Sequence, residues 1–94
     1  MTVTVRLPGV LRPRAGDSAE LQVDVAPTAT LADVLDHLAT RYPALDRRLR
    51  DEQGTLRRYV NFYVDGEECR RLAGKDTPVP PGAEIQVIPS VAGG

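Results

Sequence analysis

Residues 58–65 read RYVNFYVD and run directly into Gly66. β-branched and aromatic side chains fill the stretch, and these types suit a pleated, half-buried surface. The period of two puts Val60, Phe62 and Val64 on one face, with Tyr59, Asn61 and Tyr63 on the other. Asp65-Gly66 is a strong two-residue turn signal, so Glu67 to Leu72 is expected to return as a short strand. Downstream, residues 74–82 are irregular, with prolines at 78, 80 and 81. A turn at Pro81-Gly82 then leads into a last strand over Glu84 to Ile88. Ile85 and Val87 share one face of it, and Gln86 and Ile88 the other.

Upstream lies TATLADVLDHLATRYP, residues 28–43. Thr30 is a good N-cap, and Asp33 falls near the positive end of the helix dipole. Leu31, Val34, Leu35, Leu38 and Tyr42 follow at helical spacing until Pro43 bounds the helix. A second helical turn is expected over Ala44 to Arg50, and a loop around Gly54. Thr2 to Leu7 and Leu21 to Val25 alternate as two strands, joined through a turn-rich Leu11 to Ser18. The order is strand, strand, helix, strand, short strand, strand. It predicts an α+β domain, a mixed sheet with one main helix on one face. Residues 1–89 make the domain and residues 90–94 a flexible tail.

The chain has 94 residues and a net charge of −1. That balance gathers neither nucleic acid nor an anionic membrane. Aromatic residues make up 4%, too few for a single-strand stacking platform. The one cysteine, Cys69, allows no intrachain disulfide, which suits the cytoplasm. The N-terminus alternates and shows neither signal peptide nor membrane span.

Enzyme-like constellations are sparse. His37 falls outside the apolar helix stripe and reads as a surface histidine. Cys69 has no histidine near it in sequence and reads as structural. Asp33 and Asp36 read as a solvated helix face. There is no phosphate-binding GxxxxGK[ST] loop and no spaced metal set. Arg47, Arg48, Arg50, Arg57 and Arg58 read as a local basic patch, either solvated or facing an acidic partner.

The end of the chain, SVAGG, is the remaining candidate. A carboxylate is a poor electrophile until it is activated, and activation requires it to reach ATP inside another protein. Two residues without a Cβ let an extended strand enter a narrow channel. Pro89 cannot donate to a continuing ladder, so it helps keep the tail free.

Three stretches together carry a resemblance: MTVTVRLPGVLRP, RRYVNFYVDGEECR and PGAEIQVIPSVAGG. The chain resembles the ubiquitin-like β-grasp sulfur carrier family that includes ThiS and MoaD. The VNFYVDGE and IPSVAGG stretches favour the carriers of actinobacterial cysteine biosynthesis. The resemblance implies a β-grasp fold and a non-enzymatic role as co-substrate. It implies that an E1-like adenylating and sulfurtransferase enzyme uses ATP on the Gly94 carboxylate, and that a thiocarboxylate results. The expected acceptor is a PLP-dependent cysteine synthase, with a JAMM-type metallopeptidase releasing the product. The alternatives are a MoaD-like small subunit of molybdopterin synthase, or a carrier that feeds thiazole or thiosugar synthases, and a protein-modifier role is a further class. No cofactor or metal is expected on the chain itself. Gly94 is the reactive residue, with Gly93, Ala92 and Val91 giving tail access. Tyr59, Asn61, Tyr63 and Ile88, turned away from the helix, are the expected partner face.

Overall fold

The computed structural model describes residues 2–89. Five strands form one sheet: β1 (Thr2–Arg6), β2 (Glu20–Asp24), β3 (Val60–Val64), β4 (Glu67–Glu68) and β5 (Glu84–Pro89). Their spatial order is β2-β1-β5-β3-β4. The last strand in sequence is therefore the central one. It runs parallel to β1, with Val5 opposite Ile85, and antiparallel to β3, with Phe62 opposite Val87. All other pairings are antiparallel. This is the β-grasp arrangement, and it agrees with the mixed sheet expected from the element order.

The helix α1 (Leu31–Arg41) crosses the inner face of the sheet. Its start is fixed by a capping box. Thr30 Oγ1 accepts from the Asp33 amide at 3.3 Å, and Asp33 Oδ2 accepts from the Thr30 amide at 2.9 Å. Asp33 thus does more than face the dipole, because it closes a reciprocal pair of bonds. Leu31, Val34, Leu35 and Leu38 are fully buried against Val3, Val5, Phe62, Ile85 and Val87 from the strands. A second helix, α2 (Pro43–Leu49), adds Leu45 and Leu49 to the same core. It starts one residue earlier than the sequence pattern predicts, because proline is well suited to a first helical turn.

Two connections differ from expectation. The turn-rich stretch between β1 and β2 coils into a 3-10 helix, Gly9–Ala15, which buries Leu11 and Ala15. The return strand after Gly66 lasts only two residues before a 3-10 turn, Cys69–Arg71, replaces it. Burial explains the second difference. The turn carries the Cys69 side chain into the core, where it is almost fully enclosed. The turn at Asp65-Gly66 itself is as predicted, with both residues at positive φ, 49° and 88°.

Candidate functional site

The inner–outer split of β3 and β5 follows from the pleat. Val60, Phe62, Val64, Ile85 and Val87 are buried, while Asn61, Tyr63, Gln86 and Ile88 turn outward. The register brings Asn61 opposite Ile88 and Tyr63 opposite Gln86. Three of the four residues expected on the partner face are thus neighbours on one surface, at the end of the central strand. Ile88 is 39% exposed, a large apolar side chain on the outward face beyond the last β1 pair.

Tyr59 is placed differently. The strand begins at Val60, not Arg58, and Tyr59 sits in the turn before it. That turn is closed by the Val60 amide donating to the Arg57 carbonyl at 3.2 Å. Tyr59 is 50% exposed and lines a shallow groove with Asp51, Thr55, Leu56, Arg57 and Arg58. It adjoins the outward face by chain continuity rather than by strand alternation.

The rest of that sheet face is polar. Arg6 pairs with Glu20 at 3.0 Å and Glu84 at 2.8 Å, and Thr4 donates to Gln22. The apolar character is confined to the part near Ile88, next to where the sheet ends at Pro89. Val91, Ala92, Gly93 and Gly94 lie outside the described residues.

The basic patch does not form as expected. Arg50 is only 9% exposed and is an internal tie. It donates to Asp46 at 2.8 Å and to Asp36 at 2.7 Å, linking α2 to α1. Burial alone would lower its pKa, but the two carboxylates outweigh burial and the net shift is upward. Asp36 is accordingly a partner of Arg50 rather than merely solvated. Arg57 is half-buried and donates to the Arg47 carbonyl at 2.8 Å. Arg47, Arg48 and Arg58 are exposed.

His37 is exposed on α1. Cys69 is buried, and burial pushes its thiol pKa up, opposite to what a nucleophile needs. Among the described residues, no group of three His, Cys, Asp or Glu side chains could hold a metal ion. Among the same residues, no helix is long and apolar enough to cross a membrane.

One residue at this site escaped the sequence reading. Arg70 reaches across the outer surface to Asn61 Oδ1 and to the carbonyls of Arg57, Arg58 and Val60. A signal for it was present. The two-residue turn sets Val64 opposite Glu67 and Tyr63 opposite Glu68. The same register, continued, puts Arg70 opposite Asn61.

Comparison with known proteins gives a consistent set of likenesses. Residues 5–94 match the model of the ThiS family. The chain is 36% identical over 96 residues to the sulfur carrier protein CysO of Mycobacterium tuberculosis, spanning 100% of both chains. It is 35% identical over 77 residues to small archaeal modifier protein 1 of Haloferax volcanii, covering 82% of this chain and 84% of that one. Among solved structures, a chain of the Amycolatopsis orientalis BexX/CysO complex superposes with a TM-score of 0.86 at 32% identity. The match covers 98% of this chain and 99% of that chain.

Proposed function

The chain belongs to the ThiS family and is a sulfur carrier protein of the CysO type, and from that premise we propose that the Gly94 carboxylate carries the sulfur as a thiocarboxylate. The observation that carries the reading is the full-length likeness to CysO, with the family match running through residue 94. A carboxylate oxygen of Gly94 attacks the α-phosphorus of ATP on an E1-like partner, and pyrophosphate leaves. Sulfide then attacks the acyl carbon. The C–S bond forms, the C–O bond to AMP breaks, and AMP departs. The chain is a co-substrate throughout, and ATP is the partner's to bind.

The geometry supports this role. β5 pairs with β1 as far as Gln86 and with β3 as far as Pro89, which lies opposite Val60. The reactive residue therefore follows a fixed point by five residues. Asn61, Tyr63 and Ile88, with Tyr59 beside them, form the docking face for the activating enzyme. Small area and mixed polarity suit a transient encounter. The acceptor we favour is a PLP-dependent cysteine synthase, by likeness to CysO, with a JAMM-type metallopeptidase releasing cysteine.

ATP–pyrophosphate exchange with an E1-like enzyme tests the activation step. The full chain supports exchange, whereas Gly93→Leu and a chain lacking Gly94 do not, and both variants unfold at the parent temperature. Exchange by Gly93→Leu at the parent rate would remove the narrow-channel argument. A second reading rests on the likeness to small archaeal modifier protein 1. There a protein amine, rather than sulfide, attacks the same adenylate and an isopeptide forms.

A further inference from the structure

We propose that Arg70 is a positioning residue that holds the docking face in its binding shape; the inference rests on the carrier reading above. The Arg70 guanidinium is spent on internal acceptors. Nη2 donates to the carbonyls of Arg57 at 3.0 Å, Arg58 at 3.1 Å and Val60 at 3.1 Å. Nη1 donates to Asn61 Oδ1 and to Glu68 at 3.3 Å. Three carbonyl dipoles therefore converge, negative ends together, on one nitrogen. Without a cation there they repel one another; the Arg57 carbonyl also accepts from the Val60 amide, but that bond does not engage the carbonyls of Arg58 and Val60. The rigid planar fork of arginine suits several acceptors at once, which a point charge on a flexible stem does not.

Two consequences bear on the docking face. The turn over residues 57–60 that displays Tyr59 is held closed from outside. The Asn61 amide is also oriented, because its oxygen is engaged by Arg70 and its N–H donors are left for a partner's carbonyl or carboxylate. Arg70 lies beyond the end of β4, so it contributes no ladder bond to the sheet. It acts on recognition through Tyr59 and Asn61.

The test uses the full chain with Arg70→Ala and Arg70→Lys. Pyrophosphate release by an E1-like enzyme and ATP is measured against carrier concentration. Exchange of the Val60 amide is followed in parallel, because that amide bonds the Arg57 carbonyl that Arg70 also holds. The expected result for Arg70→Ala is a KM raised about tenfold with kcat within about twofold, the pattern of lost binding rather than lost chemistry. Arg70→Lys falls between, and Val60 exchange accelerates in Arg70→Ala. An unchanged KM for Arg70→Ala overturns the proposal, whatever happens to its melting temperature. If the parent chain itself releases no pyrophosphate, the carrier reading fails separately. Unchanged Val60 exchange in Arg70→Ala would then still overturn the positioning role.

Discussion

Ile88 and Cys69 show how neighbouring environments give two apolar side chains opposite roles. Ile88 stands on the central strand yet faces outward, with Asn61 opposite it. Substituting Ile88→Arg removes no core contact, so its stability cost is below about 1 kcal/mol. The same change puts a strongly hydrated charge on the apolar part of the proposed docking face. The expected outcome is slower adenylation through a raised KM at near-parent stability; equal kinetics for the two chains would dismiss this face as the docking site. Cys69 is the converse, a thiol enclosed by the core. Burial raises its pKa, so the folded chain holds the thiol proton to higher pH than the unfolded chain does. Its contribution is intact below the ordinary thiol value of 9.0 and is lost as pH rises from there through the folded value. Unfolding free energy should therefore fall more steeply above that pH in the parent than in Cys69→Ala. Parallel slopes would show that the thiol is not desolvated.

Among the elements, α1 depends most on local sequence. Thr30 and Asp33 bond reciprocally, and Thr30 also bridges to Pro78 while the Leu31 amide donates to the Thr77 carbonyl at 2.9 Å. Replacing Thr30→Ala should lower stability by about 1 kcal/mol in urea unfolding. A loss near zero would mean that the neighbouring segment, not the cap, holds the helix start. The strands and α1 were legible in the sequence because alternation and helical spacing are local signals. Val60, Phe62 and Val64 declared their face, as did Ile85 and Val87. The truncation of β4 was not legible, since a chain bends away after Glu68 only because a distant core receives Cys69. Arg50 misled for the same reason. Beside Arg47 and Arg48 it looks like surface charge, and only folding brings Asp36, fourteen residues away, onto it. Arg70 could have been found from the hairpin register, but its three carbonyl partners could not.

For the whole molecule, the sheet order matters more than any single strand. Placing β5 between β1 and β3 braces the strand that leads toward Gly94 on both sides as far as Gln86, and by β3 alone to Pro89. Outward-facing Asn61 and Ile88 lie beside its last described residue, and in the proposed reading one partner grips the domain there and acts on the end of the chain together. This coupling of a rigid grip to a reactive terminus is the central claim. Intact mass after incubation with ATP, sulfide and an E1-like enzyme tests it most directly. The chain lacking Gly94 and a thiol-trapping reagent run alongside, because oxidation at Met1 or Cys69 adds a similar mass. The account predicts replacement of one oxygen by sulfur that requires both ATP and Gly94. A mass that stays unchanged with ATP, or that shifts equally without Gly94, would contradict it.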